Sequence, residues 1–336
     1  MKAFEYASPT TPELALKALD APNVEALAGG TDLLGRIKDD VSSPDRVVYL
    51  KDIAGLAGIK EAATIQGGDA PKRGLVIGAN TRLAEIVKHD GIAASYPALR
   101  QAALEVGTPQ IRNMATLGGN LLQRPRCWYY RTGNGLLGMK DGKSLPRLGD
   151  NRYHAIFLTD GDALFTSPSS LAVPLIALGA KATILGKDGK RTVPVEGLYQ
   201  VPSTGVSREL TVNPGELLLE VSIPAPKGKN ASYEARQKQA HDWPLVLASV
   251  NLEFEGEKVS DARVVIYGVA PIPWRSKLAE QAIIGKPVND ETATFAARAA
   301  ISGAKPLSKN GFKLPLTQTV VKRALLAAVG NRYWEA

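Results

Sequence analysis

Ala26-Leu27-Ala28-Gly29-Gly30-Thr31-Asp32-Leu33-Leu34-Gly35-Arg36-Ile37-Lys38 runs from apolar strand character, through two glycines, into helical spacing. A short buried strand ends at Ala26-Leu27-Ala28, Gly29-Gly30-Thr31-Asp32 makes the turn, and Leu33 to Lys38 places its apolar residues at helical intervals. Such a turn has a specific chemical use. Glycines let backbone N–H groups approach an anion with no Cβ in the way, and a helix start adds partial positive charge. The stretch therefore reads as a diphosphate cradle in which Thr31 can add a hydroxyl donor; glycines placed for turn geometry alone are the competing reading. It is neither a Gly-x-Gly-x-x-Gly dinucleotide loop nor a Walker loop, since no Gly-Lys-Ser/Thr follows.

The elements on either side continue the pattern. Thr11 can cap a helix that starts at Pro12, with Glu13 in its first turn, and Val47-Val48-Tyr49-Leu50 is a strand that closes a small α/β unit. Leu75-Val76-Ile77-Gly78 then reads as a strand, Ala79-Asn80-Thr81 as a turn, and Leu83 to Lys88 as a helix that Thr81 can cap. Pro97 to Val106 is a further helix, and Asn113 to Asn120 is a tight loop whose Gly118-Gly119 a plain turn would explain. Ser169 can cap the helix Leu171 to Leu178, which Gly179 ends, and Lys187-Asp188-Gly189-Lys190 marks a hairpin. Pro224 to Asn230 is the best linker candidate. Beyond it lie two long strands, Val246–Phe254 and Ala262–Gly268, and then helices at Ser276–Ile284, Asp290–Ser302 and Leu316–Val329. Strands followed by helices argue for an α+β unit.

Composition limits the function. A chain of 336 residues exceeds one ordinary core, and 44% hydrophobic with 22% charged residues describes a globular protein. No stretch approaches the roughly 20 apolar residues of a membrane span, and the N-terminus has no apolar signal region, so a cytoplasmic folding site is expected. The single cysteine, Cys127, excludes an internal disulfide and any cluster on four thiolates of this chain. His89, His154 and His241 show no metal-ligand spacing, so no metal is expected. The net charge of +8 is spread along the chain without aromatic interleaving, which argues against nucleic acid and suits a cofactor pyrophosphate or an acidic protein partner.

No Gly-x-Ser-x-Gly elbow, His-Glu-x-x-His helix or cysteine paired with a nearby histidine stands out, so no side chain is a candidate for catalysis. Cys127 lies in Arg124-Pro125-Arg126-Cys127-Trp128-Tyr129-Tyr130-Arg131, where the flanking arginines could lower its pKa, but a packed cysteine beside aromatics is the preferred reading.

Taken together, these turns resemble the FAD-binding medium subunits of the xanthine dehydrogenase and carbon monoxide dehydrogenase family of molybdenum hydroxylases. Ala28-Gly29-Gly30-Thr31-Asp32-Leu33 resembles the family's first pyrophosphate loop. Thr108-Pro109-Gln110-Ile111-Arg112-Asn113-Met114-Ala115-Thr116-Leu117-Gly118-Gly119-Asn120 resembles its second, and Ile77-Gly78-Ala79-Asn80-Thr81 a third cofactor-contacting stretch. Gly268-Val269-Ala270-Pro271-Ile272-Pro273-Trp274-Arg275 resembles a C-terminal signature, so the likeness covers nearly the whole chain.

The resemblance implies a PCMH-type, vanillyl-alcohol-oxidase-like flavin fold over 1–226, with subdomains at about 1–53 and 54–226, and a C-terminal α+β domain over 230–336. It implies FAD held by Leu27, Ala28, Gly29, Gly30, Thr31, Asp32 and Leu33, by Ala79, Asn80 and Thr81, and by Ile111, Asn113, Thr116, Gly118, Gly119 and Asn120. Asp162 could face the cofactor or be a solvated loop residue, and Lys238 is the candidate for a lysine that the family often places near the flavin. The implied partners are a small iron–sulfur subunit with two [2Fe–2S] clusters and a large molybdopterin subunit, in a heterotrimer or its dimer. Electrons would pass from molybdenum through those clusters to FAD and on to an acceptor.

Departures from the pattern matter. Gln123 to Ile156 resembles an insertion that carries a [4Fe–4S] cluster in the branch of 4-hydroxybenzoyl-CoA reductase and periplasmic aldehyde oxidoreductase, but only Cys127 remains, so no cluster is expected. Ser170 stands where many relatives have aspartate. Some relatives are exported as folded complexes. The rival readings are a self-contained flavin oxidase of the same fold, and an adaptor without flavin whose glycine turns are structural.

Overall fold

The computed structural model describes residues 1–62, 74–203 and 208–335. Near the N-terminus, Glu5–Ala7, Arg46–Tyr49 and Val24–Leu27 form a parallel three-stranded sheet in that spatial order. Thr11 caps the crossover helix Pro12–Leu19, its Oγ1 accepting from Leu14 N at 3.3 Å. Ligands bind outside the carboxyl ends of parallel strands, and Val24–Leu27 delivers its carboxyl end to Gly29.

A second sheet is antiparallel, in the order Ile59–Glu61, Leu75–Gly78, Leu217–Ile223, Lys181–Gly186, Gly189–Pro194. Its centre is Leu217–Ile223, a strand whose apolar run Leu217-Leu218-Leu219 buries both faces. That continuous burial hides the alternation by which a strand is recognised. The expected hairpin is present, with Gly189 at φ +104°.

The third sheet, Lys229–Ala235, Val246–Glu255, Lys258–Tyr267, Trp274–Arg275, is antiparallel. Side chains alternate across it. Val246, Ala248, Val250 and Leu252 pack with Val264 and Ile266 against the helices Lys277–Ile283, Asp290–Ala300 and Lys313–Ala328. Leu247, Val265 and Tyr267, from the opposite face, join the core built on Ile77, Leu117 and Leu121. The last sheet is therefore covered on both sides, at about 1.5–3 kcal/mol for each large apolar side chain taken from water.

The structure corrects two local expectations. Thr81 does not cap Leu83–Lys88: Arg82 is the N-cap, and Thr81 Oγ1 instead accepts from Gly58 N at 2.9 Å and donates to Gly58 O at 3.0 Å. The stretch Asn113 to Asn120 is not a loop but parts of two short helices, Pro109–Met114 and Leu117–Leu121. Pro224 to Asn230, the linker candidate, is held at both ends: Tyr96 Oη donates to Pro224 O at 2.8 Å and Asn230 Oδ1 accepts from Ala98 N at 3.0 Å.

Candidate functional site: a cofactor cleft

A cleft of about 730 Å³ runs between the Gly29 turn, the second glycine stretch, the strand Leu217–Ile223 and the segment His241 to Pro244. This size suits a large organic cofactor. Among the described residues, none of the backbone N–H groups of Gly29, Gly30, Thr31 and Asp32 donates to a protein acceptor. Four consecutive unspent donors on a cleft wall need an acceptor from outside the chain. The glycines are sterically required: a Cβ on Gly29 would lie 2.3 Å from Met114 O, and Gly30 has φ +74°.

The second stretch packs directly against this turn, and its polar groups are used differently. Thr116 caps Leu117–Leu121, its Oγ1 accepting from Gly119 N at 3.1 Å. Leu117 N donates to Thr81 O, Gly118 N to Ala79 O and Asn120 N to Thr116 O. Those amides are already satisfied, so the donor-rich wall is the first turn and not an equal pair of loops. Gly118 is there for packing, since its Cβ would sit 3.1 Å from Ala79 Cβ, whereas Gly119 is exposed to the cleft.

Asp32 ties these walls together. Its carboxylate accepts from Arg131 Nη2 at 2.6 Å and Arg124 N at 3.0 Å, and lies 3.2 Å from Arg126 Nη2 and 3.5 Å from Arg36 Nε. Burial opposes its ionisation, but the charges of Arg126 and Arg131 outweigh burial and hold the carboxyl below its usual range. Arg36 also grips Glu25 through two 2.8 Å bonds, and Arg124 pairs with Glu209. Arg208 lines the cleft without a salt bridge among the described residues, though Glu209 and Glu25 act on it through their charge, and its Nε is buried without a hydrogen bond.

Most of the residues singled out in the sequence converge on this cleft. Ala28 to Leu33 line it from the first turn, Ala79 and Asn80 from the third stretch, and Ile111, Thr116 and Gly118 to Asn120 from the second. Several of these are also held internally: Asn80 Nδ2 donates to Leu50 O at 2.6 Å, and Asn120 Oδ1 accepts from Ser169 Oγ at 2.9 Å. Leu27, Thr81 and Asn113 are not part of the lining, and neither are Asp162 and Lys238, which are exposed. Arg126, Arg208, His241 and Trp243 line the cleft without having been singled out for it. The arginine density from Arg124 to Arg131 was a visible signal; that Asp32, named for the cofactor, spends its carboxylate on those arginines, 99 residues from Arg131, was not.

For Cys127 one expectation is corrected and the packed reading agrees with the structure. It does have a histidine beside it, with His154 Nε2 3.2 Å from its Sγ. Burial pushes the thiol's pKa up, and the flanking Arg124 and Arg131 are occupied by Glu209 and Asp32.

Residues 2–226 match the family described as the FAD binding domain in molybdopterin dehydrogenase, and residues 231–328 match the CO dehydrogenase flavoprotein C-terminal domain. The chain belongs to this family of molybdopterin-dehydrogenase flavoproteins. It is 31% identical to the aldehyde oxidoreductase FAD-binding subunit PaoB of Escherichia coli, over 98% of this chain and 99% of that one. It is 26% identical to the carbon monoxide dehydrogenase medium chain of Hydrogenophaga pseudoflava, over 97% and 96% of the two chains. Among solved structures, CO dehydrogenase from Oligotropha carboxidovorans superposes with a TM-score of 0.76 at 24% identity, covering 98% of this chain and 99% of that chain, which shows the shared fold.

Proposed function

We propose that this chain is the FAD-binding, electron-transferring subunit of a heteromeric molybdenum hydroxylase. The observation that carries the reading is the run of unspent N–H donors from Gly29 to Asp32 on the wall of a 730 Å³ cleft. A diphosphate is the part of FAD that such a run suits. Thr31 adds a hydroxyl, Gly119 permits close approach beside the turn, and Arg126 and Arg208 bring positive charge that the protein's own acids do not fully neutralise. Bound there, FAD would supply the capacity to accept electrons from iron–sulfur clusters and release them to an external acceptor. The chain's own work is to hold, orient and shield it. Asp32 locks the turn to the segment Arg124 to Arg131, so the cradle is shaped before the cofactor arrives.

The partners proposed are an iron–sulfur small subunit and a molybdopterin large subunit, in a heterotrimer or its dimer. The relatives' designations as medium chain and FAD-binding subunit support this. Gly30→Asp tests the cradle, because it sets a carboxylate beside the proposed diphosphate at a left-handed backbone position that aspartate tolerates better than most residues. The expected result is a folded protein that purifies without flavin. Flavin content equal to wild type would refute the placement. Co-purification from the host, with flavin, iron and molybdenum assayed together, tests the assembly.

A further inference from the structure

Next to the cofactor cleft lies a second chamber of about 220 Å³. Arg126, Asp242, Trp243 and Pro244 line both spaces, and the Arg126 guanidinium lies 4.8 Å from the centre of the Trp243 ring. An occupant of the chamber is thus one side chain away from whatever fills the cleft. Flat walls are supplied by Trp128, Tyr153 and Phe165, and Trp128 meets Tyr153 edge-on at 5.4 Å. Such walls suit a planar ring.

Polar groups share this lining. Lys313 is 1% exposed and donates to His154 O at 2.9 Å and Gly268 O at 2.6 Å. An ammonium has three protons to give, and the third has no acceptor among the described residues. Leaving a buried charged donor unpaired is costly, and an oxygen atom of a ligand would relieve that cost. Burial pulls the Lys313 pKa down to about 7, so near neutrality it can also part with a proton. Cys127 and His154 also line the chamber, with burial, then the Lys313 charge, lowering the imidazole to about 4 and keeping it neutral. A flat ring with a carbonyl oxygen matches a lining of aromatic rings and a spare ammonium donor, and adjacency to the cleft gives such a molecule a use.

We propose that this chamber is the docking site of the external electron acceptor, a monocyclic quinone whose ring lies among Trp128, Tyr153 and Phe165 and whose carbonyl oxygen accepts from Lys313. The inference rests on the flavin reading given above. Its balance closes without another reagent: the two electrons and two protons released on reoxidation of the reduced flavin convert the quinone's two carbonyl oxygens to hydroxyls.

Duroquinone is a suitable probe, because its four methyl groups hinder addition by Cys127. Equilibrium dialysis against the FAD-loaded full chain should show one saturable site. Lys313→Met, which removes the donor, and Thr166→Phe, which fills the chamber from a half-buried wall position, should each weaken binding about tenfold or more while flavin content is unchanged. Anaerobic reoxidation of the chemically reduced flavin by duroquinone should slow in parallel. No saturable site, binding indifferent to Thr166→Phe, or reoxidation unchanged in a variant that no longer binds would each overturn the proposal. If the chain takes up no FAD, the flavin reading falls separately, while dialysis on that colourless chain still decides whether the chamber takes a quinone.

Discussion

At the scale of single residues, Gly29 and Glu234 carry the sharpest consequences. A methyl group on Gly29 would press into Met114 O at 2.3 Å, and backbone on both sides leaves little room to yield. Gly29→Ala should destabilise the fold by about 1–3 kcal/mol, as overpacking does, and lower flavin content with it. Denaturant titration beside a flavin assay checks both. Glu234 lies 3.0 Å from Arg236 Nε, yet Arg236 directs its guanidinium to Glu105, and neither Glu234 oxygen gains a hydrogen bond. Burial raises its pKa to about 8, Arg236 offsets only part, and Glu105 adds to the rise. The folded chain therefore keeps a proton that the unfolded chain sheds near its ordinary 4.5, so this group's contribution to stability falls as pH climbs from about 4.5 to about 8. Glu234→Gln should flatten that decline in a series of urea midpoints across the window; an unchanged slope would locate the pH dependence elsewhere.

At the scale of elements, the short helix Leu117–Leu121 depends on its cap. Thr116→Ala removes the acceptor for Gly119 N and should cost about 1 kcal/mol, while Thr116→Ser should restore most of it. Flavin affinity should fall in the alanine variant and recover in the serine one, since Gly119 faces the cleft. Some of this was legible beforehand. Thr11, Pro12 and the hairpin at Gly189 announce themselves because their chemistry is local. The Gly118-Gly119 stretch read as a turn because glycine weakens any helix assignment, and only the tertiary bonds of Leu117 N to Thr81 O and Gly118 N to Ala79 O make it helical. Leu217–Ile223 escaped for another reason, its apolar run fitting either a central strand or a buried helix. The arginine–carboxylate knot at Asp32 could not be read at all, because its members meet only in three dimensions.

At the scale of the whole molecule, two stretches that the sequence suggested were joined by a linker share one interior. Leu247, Val265 and Tyr267 sit in the same cluster as Ile77 and Leu117, and Ser232 Oγ donates to Ala98 O at 2.9 Å across the junction. Calorimetry should therefore record one cooperative transition with flavin released in the same step; two separated endotherms would mean that the halves are independent.

The doubly covered last sheet also limits how this chain can be cut. A fragment beginning near Lys229 would keep its helical layer but present Leu247, Val265 and Tyr267 to water as one greasy plane, while the remainder would lose the lid over its own interior. Neither piece is expected to stay dispersed when expressed alone.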